Sequence, residues 1–273
     1  MSIKKPTQNP ILLKRLETER YIFQYHEEGA GLPILFIHGY PGRPQDFRWL
    51  FPFLSSYRIL ALAMPNLDLS VTKKDLLPPT SIEARKNAVL EFLHAKNIKQ
   101  CLVCAHSMGG PIATALVHHH PNLFKGLILI ASVGAKPYRA FRRSNPRLGY
   151  KLLSIPFLKG ITKPMVRFVF AQLGFPKKIS IEAMEYVLHC ATDFSFSEHE
   201  YNLKAVRSPV LSIWSEDDPL IETKSQENLG SLIFDYTEIR LPSGQHNPQR
   251  MHPEQIAHRI ELWAQDICTE KEE

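Results

Sequence analysis

Ser107 lies in a short stretch whose residue types suit a reactive hydroxyl. The stretch reads Cys104-Ala105-His106-Ser107-Met108-Gly109-Gly110, with an apolar strand-like run before it and a helix-like run after it. A sharp strand-to-helix turn needs small neighbours and leaves the serine hydroxyl exposed. The pattern is G-x-S-x-G with Ala105 in place of the first glycine. It predicts that Ser107 is a nucleophile.

A serine hydroxyl becomes a strong nucleophile only when a base takes its proton and a carboxylate orients that base. Both residue types occur later in the chain, directly after predicted strands. The acidic turn Ser215-Glu216-Asp217-Asp218 follows the predicted strand 209–214, and His246 follows the predicted strand 236–241. The residues by themselves leave two neighbouring aspartates as candidates for the orienting carboxylate.

The elements that must position these side chains follow a regular alternation. Short apolar runs alternate with amphipathic ones, which is typical of a mostly parallel central sheet flanked by helices. The predicted strands are 19–26, 34–37, 58–64, 101–105, 126–131, 209–214 and 236–241. The predicted helices start at Thr80 or Ser81 and end near 95, run from 108 to 119, and run from 254 to 267. The fold class is therefore α/β.

About seventy residues separate the strand near 131 from the strand near 209, and their character differs. They are basic and rich in Phe and Tyr, and prolines break them into short helical pieces. Such an insertion before the last strands predicts a helical cap over the carboxyl ends of the sheet, where ligands bind. We assign 1–133 and 207–273 to the α/β core and 134–206 to the cap. The apolar runs 152–158 and 165–170 are expected to supply pocket lining, with only a minority of their residues touching substrate and most packing the cap on the core.

The composition is ordinary for a globular protein of 273 residues, with 44% hydrophobic and 22% charged residues. The chain has no apolar run of the roughly 18–20 residues that a membrane helix needs. No apolar stretch follows the lysines near the N-terminus, so we expect no secretory signal and a cytoplasmic location. Cys101 and Cys104 form a C-x-x-C pattern, but residues three apart in a strand face opposite ways. We expect buried, free thiols, no metal and no cofactor.

The formal net charge is +6, and much of the positive charge lies between residues 136 and 178. No basic-aromatic nucleic-acid motif accompanies it, so we expect no nucleic-acid partner. One hypothesis is an anionic or lipid-like substrate; another is weak contact of the basic cap with an anionic membrane surface. The cations considered for these roles are Arg142, Arg143, Arg147, Lys151, Lys159, Lys163 and Arg167.

Together these patterns resemble the α/β-hydrolase superfamily, in its cap-bearing serine esterase and C–C-hydrolase-like branch. The resemblance runs from about residue 21 to residue 264. It rests on His38-Gly39-Tyr40-Pro41-Gly42 after an early strand, the turn at Ser107, the acidic turn and the late His246. The chain order of serine, acid and histidine is also that of α/β-hydrolases.

The resemblance implies a catalytic triad of Ser107, His246 and Asp218. In the family the acid closes a G-x-x-D turn, and Ser215 stands at the glycine position, which favours Asp218 over Asp217.

The resemblance also implies an oxyanion hole made by the backbone amides of Tyr40 and Met108, next to Gly39. His38 would support that loop rather than act as the base. His106 is expected to pack against the site or line its pocket.

The implied activity is that of a carboxylesterase-like serine hydrolase, which cleaves a carboxylic ester or related acyl compound through an acyl-enzyme on Ser107. C–C hydrolysis, thioester hydrolysis, acyl transfer and peptidase activity stay open, since fold does not determine the substrate. A ligand-binding or sensor protein without hydrolytic activity is the alternative from another class.

Overall fold

The computed structural model describes residues 11–65, 69–74, 76–172 and 180–269. In these ranges nine strands form one sheet. The strands are β1 (Lys14–Glu17), β2 (Tyr21–Glu28), β3 (Pro33–Ile37), β4 (Arg58–Leu62), β5 (Val71–Thr72), β6 (Cys101–His106), β7 (Phe124–Ile130), β8 (Val210–Ser215) and β9 (Tyr236–Leu241). Their order is β1-β2-β4-β3-β6-β7-β8-β9, and β5 pairs with β2.

The central strands β4, β3, β6, β7, β8 and β9 pair in parallel, whereas β1, β2 and β5 are antiparallel additions at one side. The prediction of a mostly parallel α/β sheet is confirmed. The carboxyl ends of β3, β6, β8 and β9 therefore point to the same edge, where the loops with the candidate residues begin.

Helices cover the sheet and fill the long connection between β7 and β8. The helices are α1 (Ile82–Ala95), α2 (Gly109–His119), α3 (Arg139–Ser144), α4 (Pro146–Leu153), α5 (Lys159–Gln172), α6 (Ile181–Thr192), α7 (Phe196–Ala205), α8 (Thr223–Gly230), α9 (Pro248–Met251) and α10 (Pro253–Thr269). Short 3-10 helices span Pro44–Phe47, Phe51–Phe53 and Pro156–Leu158. No described helix is both long enough and apolar enough to cross a bilayer.

The predicted cap 134–206 contains α3 to α7, with residues 173–179 of it outside the described ranges. The division into core and cap stays a prediction.

The sheet is buried on both faces, which explains the nearly continuous apolar character of its inner strands. One hydrophobic core combines residues of α1, α2 and α6 with one face of the sheet, and a second combines residues of α10 and the 44–54 segment with the other face. Cys101 belongs to the first core and Cys104 to the second, and both thiols are free and buried. The prediction for these two cysteines is confirmed.

Two strands were missed by the sequence reasoning. The first predicted strand, 19–26, is β2, and β1 precedes it as an exposed edge strand. Its residues Lys14-Arg15-Leu16-Glu17 carry charge instead of an apolar alternation, because only one side of an edge strand faces the protein. β5 has two residues and is too short to leave a pattern.

The start of α1 follows the expected capping chemistry. Ser81 is the N-cap, and its hydroxyl oxygen accepts a hydrogen bond from the Ala84 amide at 3.1 Å. The other candidate, Thr80, instead donates to the Asp193 carboxylate at 2.5 Å. That bond ties the start of α1 to the end of α6.

The two apolar runs 152–158 and 165–170 contribute a minority of their residues to the pocket lining, as predicted. Phe170 is buried and lines the cavity described below. Phe157, Met165 and Phe168 point to solvent instead. Amphipathic helices bury one stripe, and these three residues lie off that stripe.

Candidate active site

Ser107 occupies the turn between β6 and α2 in a strained backbone conformation. Its φ is +52°, in the left-handed region that costs a non-glycine residue on the order of 1–3 kcal/mol. Neighbouring strands hold the turn. The Ser107 amide donates to the Ile130 carbonyl at 3.0 Å, and the Ser107 carbonyl accepts from the Gly110 amide at 3.0 Å. The side chain is only partly buried, as expected for a hydroxyl presented at the top of the sheet.

A chain of two hydrogen bonds links Ser107 to an acid through His246. The Ser107 Oγ lies 2.9 Å from His246 Nε2, and His246 Nδ1 lies 2.8 Å from Asp218 Oδ2. The structure thus brings together the three residues that were predicted as a triad. Both distances are those of direct hydrogen bonds.

The acid is held ionised by its surroundings. Burial pushes the pKa of Asp218 upward, but hydrogen bonds from His246 and from the Ile221 and Leu220 amides outweigh it, so the pKa lies below its ordinary value. A carboxylate only accepts hydrogen bonds, so His246 Nδ1 carries the proton and donates it. His246 Nε2 then has a free lone pair facing the Ser107 hydroxyl. This is the tautomer a general base for serine needs.

Asp217, the alternative acid, is directed at the backbone of the loop that carries His246. Its Oδ1 accepts the Gln245 amide at 2.7 Å, one residue before His246. His252 donates from Nε2 to the Ser243 carbonyl at 2.8 Å. Asp217 and His252 therefore fix the backbone of the histidine loop, and neither contacts the His246 ring.

His106 supports His246 from below. It is buried, its Nε2 donates to the His246 carbonyl at 2.8 Å, and the two ring centroids are 4.9 Å apart. Burial and the neighbouring His246 lower the pKa of His106 to about 3, so this ring stays neutral. Its expected role as a packing and pocket residue agrees with this position, since it also lines the cavity.

The loop after β3 passes directly over Ser107. A Cβ on Gly39 would lie 2.8 Å from the Ser107 Cβ and 3.3 Å from its Oγ, so this position requires glycine. His38 is buried and accepts the Met64 amide at Nε2 (3.0 Å) while Nδ1 donates to the Gly39 carbonyl (2.8 Å). Burial lowers the pKa of His38, which keeps the ring neutral for this pairing.

The two residues predicted to supply the oxyanion-hole amides lie in the same cavity lining as the serine. Tyr40 and Met108 line the cavity beside Ser107, and among the described residues neither amide donates a hydrogen bond. The buried Arg85 guanidinium packs against the Tyr40 ring, with its Cζ 4.8 Å from the ring centroid. Sequence reasoning missed Arg85, because an arginine in a helix reads as a solvent-exposed residue.

The cavity above Ser107 has a volume of about 560 Å³, a size typical of small-molecule sites. Its apolar wall comes from the helices between β7 and β8 and from the loop after β8. These lining residues are Phe141, Phe170, Val187, Leu188, Ala191 and Leu220. The polar wall includes Arg139, Arg143 and Asp46. Arg143 forms no ion pair with any described carboxylate, whereas its neighbour Arg142 pairs with Glu222 at 2.6 Å.

Comparison with known proteins agrees with this architecture. A family model described as "alpha/beta hydrolase fold" matches residues 33–154. A putative lipase from Acinetobacter baumannii AYE superposes with a TM-score of 0.75, at 18% identity, over 95% of this chain and 93% of its own. The chain has the α/β-hydrolase fold. The resemblance stated from its motifs is confirmed.

Curated relatives of this α/β-hydrolase-fold protein include hydrolases at low identity. Lipase 1 of Psychrobacter immobilis is 26% identical over 82% of this chain and 74% of its own length. The uncharacterized hydrolase YugF of Bacillus subtilis is 21% identical over 92% of this chain and 97% of its own length. These comparisons support a hydrolase of the α/β fold.

Proposed function

We propose that this α/β-hydrolase-fold protein is a serine hydrolase that cleaves carboxylic esters or related acyl compounds through an acyl-enzyme on Ser107. One observation carries the proposal. The Ser107–His246–Asp218 hydrogen-bond chain, at 2.9 and 2.8 Å, opens into a cavity of about 560 Å³. The lipase relative supports an ester as the bond that is cleaved.

In the first half-reaction, Ser107 Oγ attacks the acyl carbon while His246 Nε2 takes the hydroxyl proton. Asp218 accepts the Nδ1 hydrogen bond and stabilises the imidazolium that forms. The Tyr40 and Met108 amides donate to the oxyanion, an interaction worth about 10²–10³-fold in rate per donor. As the intermediate collapses, His246 returns the proton to the leaving alcohol, and the ester C–O bond breaks.

In the second half-reaction, water attacks the acyl-enzyme and His246 Nε2 takes the proton from water. The bond between Ser107 Oγ and the acyl carbon then breaks, the serine regains its proton, and a carboxylic acid is released. No metal or cofactor takes part in the proposed steps, since every proton moves between Ser107, the substrate, water and His246.

The wall of the cavity supports a substrate with an apolar acyl part. Phe141, Phe170 and Leu188 can pack against an alkyl or aromatic group. Arg143 adds a cation at the same cavity, which favours substrates that also carry an anionic group. Esters of graded chain length, with and without a terminal carboxylate, test this part with wild type and Arg143→Gln.

The test of the activity is labelling with a fluorophosphonate probe beside hydrolysis of a short activated ester. Ser107→Ala is expected to abolish labelling and to lower kcat by at least about 10³-fold. Ser144→Ala is the matched control, because Ser144 also lines the cavity, and among the described residues its hydroxyl bonds only the Phe141 carbonyl. Unlabelled, folded wild-type protein would overturn the proposal and favour a ligand-binding role.

A further inference from the structure

The connection between β7 and β8 has a charge unlike that of the rest of the protein. Residues 136–180 contain eleven of the 33 lysines and arginines and none of the 27 acidic residues. The remaining residues hold 22 cations against 27 anions and are net negative. The whole positive excess of the chain therefore comes from one segment.

The described cations of this segment are mostly left without acidic partners. Arg142 pairs with Glu222 and Lys159 pairs with Glu185. Arg147, Lys151 and Arg167 are exposed, and none of them pairs with a described carboxylate. Exposed cations without local counterions create a positive potential that an external anionic surface can neutralise.

The same segment exposes large apolar side chains. Phe157, Ile161 and Phe168 are 82%, 76% and 65% exposed, and Met165 and Leu148 are about half exposed. Ile161, Met165 and Phe168 are spaced four and three residues apart, so they lie on one face of α5. The opposite face of α5, with Val166 and Phe170, is buried. We call the five exposed residues the apolar face of α4–α5.

A small groove borders both this face and the cavity above Ser107. Leu148 from α4 and Met165 from α5 line a small apolar groove together. Ser144, Phe170 and Leu188 line both that groove and the main cavity. The apolar face thus continues into the wall of the candidate active site.

We propose that the apolar face of α4–α5 docks on an anionic phospholipid bilayer. Exposed Phe, Ile and Leu beside unpaired Lys and Arg are the pattern of a helix that lies in a membrane interface. The positive charge selects an anionic bilayer over a neutral one and over most protein surfaces of mixed charge. Docking itself does not depend on the proposed hydrolase reaction. Its consequence, entry of a lipid-like ester beside Phe170 and Leu188, rests on that function.

The experiment is co-sedimentation of the full chain with vesicles of phosphatidylcholine and phosphatidylserine, beside vesicles of phosphatidylcholine alone. We expect wild type to pellet with the anionic vesicles at low salt and to be released at high salt, since salt screens the attraction. Ser107→Ala should pellet like wild type. A loss of hydrolysis would then be distinguished from a loss of docking.

A charge variant tests which cations act. Each cation near an anionic surface is worth roughly fivefold in partitioning, so Arg147→Gln with Lys151→Gln and Arg167→Gln should lower it about 100-fold. The matched control is Lys99→Gln with Lys224→Gln and Arg259→Gln, three exposed residues elsewhere with the same total change in charge. Equal loss in both variants would overturn the assignment, because it would reflect net charge alone.

An apolar variant tests insertion. Phe157→Ser with Ile161→Ser and Phe168→Ser should lower partitioning at least about tenfold. Leu77→Ser with Phe234→Ser is the control, since both residues are at least 80% exposed outside the segment. Wild type that fails to pellet overturns the proposal. So does lipid-free dimerisation that the apolar variant abolishes, because the face would then bind a second copy of this chain.

Discussion

Two regions of the molecule differ in how their side chains are held: the core residues around Ser107, His246 and Asp218, which we call the floor of the candidate site, and the helical segment from α3 to α5. At the floor, backbone or side-chain hydrogen bonds hold each reactive group: His246 by Asp218 and His106, its loop by Asp217, and the Ser107 turn by neighbouring strands. In the segment from α3 to α5, most described cations pair with no described carboxylate, and Phe157 and Phe168 face solvent. In the proposed hydrolase, the core preorganises the reacting groups and the helical segment recognises the substrate.

The two regions also differ in how tightly their residues are packed. A Cβ on Gly39 would collide with the nucleophile, whereas a Cβ on Gly160 in α5 would meet no atom within 4 Å. The floor therefore tolerates little change, and the segment can change its surface without disturbing the reacting groups. Substrate and partner preference can vary there at small cost to the fold.

The largest expected effect comes from the two adjacent aspartates at the floor. Asp218→Asn should lower kcat/KM for a short ester by about 10³–10⁴-fold, because an amide at this position no longer fixes the His246 tautomer. Asp217→Asn keeps an oxygen that can accept the Gln245 amide, so its loss should stay below about tenfold. Steady-state kinetics of both variants decide the matter. Equal losses would mean that loop position, not the carboxylate of Asp218, governs the rate.

Glycine substitutions sharpen the contrast in packing. Gly39→Ala should lower kcat by about 100-fold, because the added Cβ displaces Ser107 from its attacking position. The readout is turnover of the same ester by protein whose fold is verified by circular dichroism. Turnover equal to that of wild type would show that the loop over the nucleophile can move aside.

The matched glycine substitution in the helical segment, Gly160→Ala, should stabilise the protein instead of impairing it. Gly160 lies in α5 with open space around it. Gly160→Ala should therefore raise the free energy of unfolding by about 0.5–1 kcal/mol. Activity should not change. Urea unfolding measures the difference, and a destabilised Gly160→Ala protein would contradict the open surroundings of this residue.

A pH-dependent effect on stability concerns the junction of the two regions. His199 of α7 is buried and donates from Nε2 to the Val133 carbonyl at 3.0 Å, and burial lowers its pKa to about 4 from the ordinary 6.5. Between these two values the unfolded chain binds a proton that the folded protein does not, so stability falls as pH falls. His199→Gln should flatten this dependence by about 1.4 kcal/mol per pH unit.

Urea unfolding of wild type and His199→Gln at several pH values in that window measures the slope. Above pH 7 the two slopes should coincide, because the histidine is neutral in both states. An unchanged slope in the window would show that His199 titrates alike in the folded and unfolded chains.

Most strands of the sheet and the chain order of the site residues could be predicted from local sequence patterns. The strand at 236–241, the helix ending at Ala95 and the apolar stripe of α10, with Ile256, Ile260 and Trp263, are where periodicity placed them. β1 escaped because an exposed edge strand carries charge on most positions. The exposure of Phe157 and Phe168 was also not predicted, because an aromatic residue does not by itself show which face of a helix is covered.

The sequence by itself determined the α/β sheet and the residues that meet at its edge, because alternating periodicity and strand-end loops are local properties of the chain. Only the tertiary structure decided how Asp217 and Asp218 divide their tasks, since both follow the same strand and differ only in direction. The same holds for Arg85 beneath Tyr40 and for the groove that borders both α4–α5 and the cavity. Those contacts join residues far apart in the chain, and packing alone sets their distances.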